Sequence, residues 1–314
     1  MPDAETVTRP SLGFLGLSHI VIEVTDPGES ATFYQDVLGL EGGPIDPWPL
    51  CGNNRVLTAG GNQHLILAAR ADQPDLRDTG VHHAFAVSQS QRDQISAKLD
   101  GLGIEVFSYV EDPPEESTGG FYFFDPDGNR VQLVTPQGTG KHTLPRFHHT
   151  AIQVADILWT EHFYTQVLGL EPVHRVGWST ADYARAKAWA EGKEDMAPGA
   201  RRMDERYSEI VDKKMVPRVN MQVYLTCGEH VLGIYLANRH MQESPEDQCA
   251  GSPRTAFLVT AEGLETAAKY LMDANWRFEG PVIHDANMPI SASIYLRDPG
   301  GNFLEFAVSR DGTP

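Results

Sequence analysis

The sequence is poor in cysteine, in basic residues and in long apolar runs. Its three cysteines, Cys51, Cys227 and Cys249, lie far apart without a CxxC motif, and an odd number builds no disulfide framework. The 25 Lys and Arg residues against 43 Asp and Glu give a net charge of −18, which argues against a nucleic-acid partner, because phosphate binding needs concentrated positive charge. With no signal peptide and no apolar run long enough to cross a bilayer, we predict a soluble, cytoplasmic protein without a membrane partner.

What the sequence does contain is an internal repeat. An alternating strand pattern at residues 17–24 carries His19, and a helix pattern with an F-Y pair and a V-L-G-L ending follows it. The same order returns around His149, 130 positions later. An internal duplication is the economical explanation.

The repeat continues in both halves with a growing offset. The later matches are His64 with His230 at 166, residues 82–87 with 254–259 at 172, and residues 122–133 with 295–306 at 173. The step of 36 indicates an insertion in the second copy, at about 178–221. Its alanine-rich and charged composition predicts helices, which would serve as a lid, as a subunit contact or as a solvated decoration.

Each half contains two strand–helix–three-strand units, so the sequence predicts an α+β fold of four βαβββ modules. The predicted divisions are an N-terminal arm at 1–14, a first domain at 15–136, a linker at 137–145, a second domain at 146–309 that carries the insertion, and a tail at 310–314.

The last repeat segment predicts a hairpin with an unusual carboxylate. Residues 294–296 and 303–306 favour strands, and D-P-G-G-N between them favours a tight turn. Strand alternation puts Glu305 on the opposite side from Leu304 and Phe306. A buried carboxylate is costly unless a cation meets it, so Glu305 is a candidate metal ligand.

This combination of a β1 histidine, an F-Y-x-x-V-L-G-L helix and a D-P-x-G-N hairpin resembles the vicinal oxygen chelate superfamily. That superfamily includes glyoxalase I, fosfomycin resistance enzymes, bleomycin-binding proteins and extradiol dioxygenases. The resemblance implies two tandem domains of cup-shaped mixed sheet, with metal ligands on the inward strand faces. Two consecutive domains of this length are most similar to the type I extradiol dioxygenases, which have their active site in the C-terminal domain.

The resemblance implies roles for several residues. It assigns His149 and Glu305 to a divalent metal, with Fe(II) expected and Mn(II) or Zn(II) as alternatives. It makes His230 the acid–base group, and Tyr295 and His284 hydrogen-bond donors to the substrate. Arg254 stands where the second metal histidine is expected, and a guanidinium cannot bind a metal. Arg254 therefore either points away, pairs with an anionic substrate group, or marks a cup without metal.

The N-terminal cup offers an alternative metal site. His19 and His82 occupy both histidine positions there, and Gln132 stands at the carboxylate position, where glyoxalase-like relatives also use glutamine. Related proteins also build a cup from non-consecutive modules or across a dimer. A site that joins His19 to Glu305 is then possible.

The function that the resemblance implies is extradiol-type cleavage of a catechol-like substrate with O2, in a homodimer or higher homo-oligomer. Two alternatives stay open. One is a glyoxalase- or epimerase-like lyase or isomerase on a divalent metal. The other is a non-catalytic ligand-binding protein of the bleomycin-resistance kind, with Arg254 paired with an anionic ligand.

Overall fold

A computed structural model describes residues 12–45, 47–70, 76–77, 79–108, 120–136, 143–176, 222–236 and 247–311. The predicted insertion at 178–221, most of the linker and most of the arm lie outside the described residues. None of the helices described is both long and apolar enough to span a bilayer.

The described elements follow the four predicted modules. Module 1 contains β1 (Phe14–Val24), α1 (Pro27–Leu38), β2 (Glu41–Gly42), β3 (Asn54–Ala59) and β4 (Gln63–Ala69), with a 3-10 turn at Gly60–Asn62. Module 2 contains β5 (His82–Ala86), α2 (Gln89–Gly101), β6 (Phe121–Phe124) and β7 (Arg130–Val134). In module 2 an isolated antiparallel bridge joins Phe107 to Tyr122 at the edge of the described residues.

The second half repeats this order. Module 3 contains β8 (Arg146–Val154), α3 (Ile157–His162), a π-helical turn (Phe163–Val167), β9 (Glu171–Val176), β10 (Gln222–Cys227) and β11 (His230–Leu236). Module 4 contains β12 (Arg254–Val259), α4 (Ala261–Asp273), β13 (Phe278–Ile283), β14 (Ile290–Arg297) and β15 (Phe303–Ser309).

Local sequence sets the helix ends. Asp26 accepts hydrogen bonds from the backbone N–H groups of Gly28 and Glu29 at the start of α1, and Gly39 ends that helix with φ 74°. Ser88 and Gln91 form a capping box at the start of α2.

The two sheets do not follow the two halves of the chain. Sheet A, in the order β13-β14-β15-β12-β1-β4-β3-β2, joins module 4 to module 1. Sheet B, in the order β6-β7-β5-β8-β11-β10-β9, joins module 2 to module 3. The antiparallel pairs β1–β12 and β5–β8 make these two joins. The predicted fold class is confirmed, and the module pairing that the sequence left open is between non-consecutive modules of one chain.

Polar contacts tie together the modules that are consecutive in sequence. Tyr34 of α1 donates a hydrogen bond to Asp125 Oδ2 of the module 2 hairpin at 2.9 Å. In the second half, Tyr164 donates to Asp298 Oδ2 at 3.1 Å. The F-Y and D-P-x-G-N motifs therefore fasten helix to hairpin. One apolar core extends through both sheets and their helices.

Candidate functional sites

The module pairing separates the predicted metal ligands into two groups. Glu305 lies on β15 in sheet A, whereas His149 lies on β8 in sheet B. The structure therefore does not group His149 with Glu305, because β8 pairs with module 2 instead of module 4. The alternative set divides too: His19 belongs to sheet A, and His82 and Gln132 belong to sheet B.

Cluster A, on sheet A, is centred on the Glu305 carboxylate. His19 Nε2 lies 3.0 Å from Glu305 Oε2, and Arg254 Nε lies 2.8 Å from the same oxygen. Ser293 donates a hydrogen bond to Oε1 at 2.6 Å. Burial alone would raise the pKa of Glu305, but the attraction of His19 and Arg254 and these hydrogen bonds outweigh burial and lower it to about 2. Glu305 is thus an ionised partner in a buried charge network.

Arg254 is the cation that compensates Glu305. Its guanidinium lies 5.2 Å from the centre of the Tyr295 ring, and its Nη1 donates to the Gly251 carbonyl at 2.9 Å. Its Nη2 lies 3.3 Å from Cys51 Sγ. Arg254 therefore does not point away, which was one of the possibilities that the sequence left open: it pairs with Glu305.

The remaining predicted residues of sheet A surround this ion pair. His284 is half-buried, and its Nε2 lies 2.9 Å from Ser293 Oγ. Burial lowers the pKa of His284, and burial together with the charge of Glu305 raises the pKa of Tyr295 far above its usual value. Both residues therefore contact the Glu305 network.

Cluster A also contains a residue that the sequence did not single out. The buried Trp48 ring lies 4.7 Å from the His19 ring and 5.5 Å from the His64 ring. His19 and His64 are in register on the parallel strands β1 and β4, so both side chains share one face. Trp178 stands 130 positions after Trp48, at the offset of the repeat, so the duplication itself carried a signal that could have marked Trp48.

His230 lies at the junction of the two halves instead of in a cluster. Its Nδ1 accepts a hydrogen bond from the Leu17 backbone N–H at 3.1 Å, and its Nε2 lies 2.7 Å from Gln63 Nε2. On the paired strands β1 and β4, His19 lies opposite His64, whereas its repeat counterpart His149 on β8 lies opposite Val231 of β11. His64 therefore corresponds to Val231 in the structure, and Gln63 corresponds to His230. The match of His64 with His230 in the sequence was wrong by one position.

Cluster B, on sheet B, brings together two histidines and a glutamine. The Nε2 atoms of His82 and His149 lie 3.0 Å apart. Ala84 of β5 lies opposite Gln132 of β7 and opposite His149 of β8, and residues paired in this way point to the same face of a sheet. His82 lies two positions before Ala84 on β5, so strand alternation turns it to that face as well. All three side chains are buried.

Hydrogen bonds orient both rings of cluster B. His82 Nδ1 lies 2.8 Å from the Gly80 carbonyl, which can only accept, so Nδ1 carries the proton and the Nε2 of the neutral ring presents a lone pair. His149 Nδ1 lies 2.8 Å from His148 Nδ1. Burial lowers the pKa of His149 to about 3, which keeps its ring neutral at pH 7.

Tyrosines surround cluster B. The rings of Tyr122 and Tyr235 lie 5.5 Å and 5.7 Å from the His82 ring. The hydroxyl of Tyr235 lies 2.6 Å from that of Tyr224, which donates to Gln222 Oε1 at 2.8 Å. Tyr122 is the repeat counterpart of Tyr295. Tyr224 and Tyr235 were not predicted, because alternating aromatic residues in a strand are typical of cores as well.

Comparison with known proteins gives this arrangement a family. Residues 16–133 and 146–306 both match the Glyoxalase/Bleomycin resistance protein/Dioxygenase superfamily. The chain belongs to this superfamily. The resemblance inferred from the repeat and its motifs is thereby confirmed.

Relatives within the superfamily carry different activities. The chain is 30% identical over 124 residues to 2,2',3-trihydroxybiphenyl dioxygenase of Sphingomonas paucimobilis, a match that covers 38% of this chain and 41% of that protein. It is 27% identical over 137 residues to metallothiol transferase FosB of Shouchella clausii (strain KSM-K16), covering 43% of this chain and 89% of that protein.

A solved structure supports the fold over nearly the whole chain. Glyoxalase I of Zea mays superposes with a TM-score of 0.53 at 15% identity, covering 93% of this chain and 92% of that one. At this identity the likeness concerns the fold alone.

Members of the superfamily use divalent metals, and the two clusters differ in how well they fit one. Cluster A does not fit, because the Arg254 guanidinium already stands beside the Glu305 oxygen that a metal would need. Cluster B fits better: two nitrogen ligands at ~2.1 Å from one metal can lie 3.0 Å apart. Among the described residues no three His, Cys, Asp or Glu side chains are arranged to hold a metal, so the third ligand in cluster B would be Gln132.

Proposed function

We propose that the protein is a metal-dependent enzyme of this superfamily whose working site is cluster B. His82, His149 and Gln132 would hold the metal, and the substrate would bind it through two adjacent oxygen atoms. The observation that carries this proposal is the 3.0 Å approach of the His82 and His149 Nε2 atoms beside Gln132 on one strand face.

The hydrogen bonds behind the two histidines support this assignment. Metal-binding histidines commonly donate their other ring N–H to a carbonyl or a similar acceptor, which orients the ring. His82 has this arrangement with Gly80, and His149 has His148 as the partner of its Nδ1. These contacts orient both rings so that their Nε2 atoms face each other at 3.0 Å.

The charge of the site favours a particular substrate form. His82, His149 and Gln132 are neutral ligands, so they leave both charges of a divalent metal uncompensated. An ionised vicinal diol or hydroxyketone would compensate that charge better than a neutral one. When bound, the metal would act as a Lewis acid and, if it is iron, would also supply the redox chemistry that O2 requires.

The tyrosines would position the substrate oxygens. Tyr122 and Tyr235 pack against His82, and the hydroxyls of Tyr235 and Tyr224 are in contact. A phenol that is held beside a developing oxyanion stabilises it by hydrogen bonding. These roles replace those that the resemblance implied for Tyr295, His284 and His230, which lie in sheet A or at the junction.

Extradiol-type cleavage of a catechol-like substrate with O2 is the first candidate reaction. The similarity to the trihydroxybiphenyl dioxygenase supports it, although that match covers less than half of that protein. A redox-neutral lyase or isomerase is the second candidate, because Gln132 stands where iron oxygenases use a carboxylate. Oxygen consumption with a panel of catechols separates the two reactions.

Elemental analysis after anaerobic loading with Fe(II), Mn(II) or Zn(II) tests the metal site. We expect close to one metal per chain in the parent, and loss of metal in His82→Ala and His149→Ala. His64→Leu, in cluster A, is the control and should retain the metal of the parent. A parent protein that takes up no metal would overturn the proposal and favour a non-catalytic ligand-binding protein.

A further inference from the structure

The chain between β2 and β3 sends two side chains into cluster A. We call residues 47–53 the strap. Trp48, 1% exposed, packs against His19 and His64, and Cys51 Sγ lies 3.3 Å from Arg254 Nη2. Trp48 and Cys51 join an apolar cluster on this face of sheet A, with Val21, Ile66, Met288 and Ile290 among its members. The strap therefore occupies the face that carries the ionisable residues of sheet A.

Within the described part of the chain, buried polar atoms of the strap and of the strand below it have no hydrogen-bond partner. His64, only 4% exposed, has no hydrogen-bond partner at Nδ1 or Nε2 among the described residues, and Trp48 has none there at Nε1. Buried polar groups are normally paired, and each exception calls for an explanation. A ligand that hydrogen-bonds to His64 would satisfy the imidazole. Burial lowers the pKa of His64 to about 4, so the ring is neutral at pH 7 and offers one donor and one acceptor.

A side chain at the start of β3 acts as a latch on the strap. Asn54 accepts a hydrogen bond from the Trp48 backbone N–H at 2.7 Å and donates to the Trp48 and Gly52 carbonyls, both at 2.9 Å. Leu50, at the exposed tip, has a φ of 60°, a left-handed conformation that is strained for leucine. The strap is also held by the Ala69 backbone N–H, which donates to the Asn53 carbonyl at 2.8 Å, and by the contact of Cys51 with Arg254. Backbone strain at a residue other than glycine is found above all at ligand clamps and switch segments.

We propose that cluster A is a binding site for a neutral, planar hydroxyaromatic compound, and that Trp48 is its built-in occupant. The Trp48 ring marks space for one aromatic ring between apolar walls and His64. His64 would hydrogen-bond to the hydroxyl of the ligand. Because Glu305 and Arg254 compensate each other, the site favours a neutral ligand over an anion. This proposal does not depend on the metal site in cluster B.

Calorimetric titration with phenol tests the proposal on three variants. Asn54→Ala removes the latch, and we expect it to bind phenol at least tenfold more tightly than the parent. Asn129→Ala is the matched control, since Asn129 is equally buried and its side-chain amide donates two hydrogen bonds, to the Glu23 carbonyl and to Asp125 Oδ2 in the module 2 hairpin. It should bind phenol as the parent does. Adding His64→Leu to Asn54→Ala should weaken binding at least tenfold.

The same titrations can overturn the proposal. Equal phenol affinity in Asn54→Ala and Asn129→Ala would mean that the strap does not compete with the ligand. If the double variant Asn54→Ala/His64→Leu binds phenol as tightly as Asn54→Ala does, phenol binds elsewhere. If Asn54→Ala does not fold, Trp48→Ala removes the occupant directly and is judged by the same thresholds. The metal content of each preparation reports on cluster B separately.

Discussion

Gln63 and His230 meet at the junction of the two halves, with their Nε2 atoms 2.7 Å apart. They are structural counterparts on β4 and β11. Gln63 accepts a hydrogen bond from the Phe147 backbone N–H at 2.7 Å, and His230 accepts one from the Leu17 backbone N–H at 3.1 Å. Each half thus uses one side chain to accept a hydrogen bond from the first strand of the other half.

His230→Gln should retain the fold and remove part of its acid sensitivity. Burial lowers the pKa of His230 to about 4, below the ordinary value of 6.5, so the unfolded chain takes up a proton first. The stability that the neutral ring contributes is complete above pH 6.5 and is lost as pH falls through 4, at most roughly 3 kcal/mol. Urea unfolding at pH 7.5 and 4.5 should show a smaller loss in the variant. An equal loss would exclude His230 as a source of the pH dependence.

Tyr34→Phe and Tyr164→Phe should destabilise the protein by similar amounts. Each removes the hydrogen bond from a helix tyrosine to a buried hairpin aspartate, at a cost of about 1–2 kcal/mol. Denaturant midpoints would measure both. A change in one variant alone would mean that the two halves do not use these contacts equivalently.

Glu305→Gln should be strongly destabilising, by roughly 3–5 kcal/mol, because it leaves the buried Arg254 charge uncompensated. The double variant Arg254→Leu/Glu305→Gln should recover most of this loss. In the parent, the pKa of Glu305 is lowered to about 2, so its contribution is present above pH 4.5 and is lost as pH falls through 2. Chemical unfolding of the two variants and the parent measures the loss and its recovery. Full stability of Glu305→Gln would contradict the charge network.

Gln132→Glu should tighten metal binding in cluster B by about tenfold or more, because a carboxylate adds a charged ligand to the two histidines. Gln132→Ala should weaken it. Competition with a chromophoric chelator under anaerobic conditions measures both affinities. An unchanged affinity in both variants would remove Gln132 from the proposed ligand set.

Much of the fold could be read from local patterns. The period of the strands, the capping residues of α1 and α2 and the turn residues of each hairpin act over a few positions, and the duplication displays each of them twice. The same reasoning identified His19, His82, His149, Gln132 and Glu305 as residues on equivalent strand faces. It also required a cation near Glu305, and Arg254 is that cation.

The tertiary structure decided which of these residues come together in one cluster. The four modules share one pattern, so the local patterns around β1 and β8 do not reveal which partner each strand takes. The observed pairs β1–β12 and β5–β8 put Glu305 beside His19 and Arg254, and His149 beside His82. The sequence alone determined the modules and the chemically capable side chains, whereas long-range strand pairing decided which of them share a site.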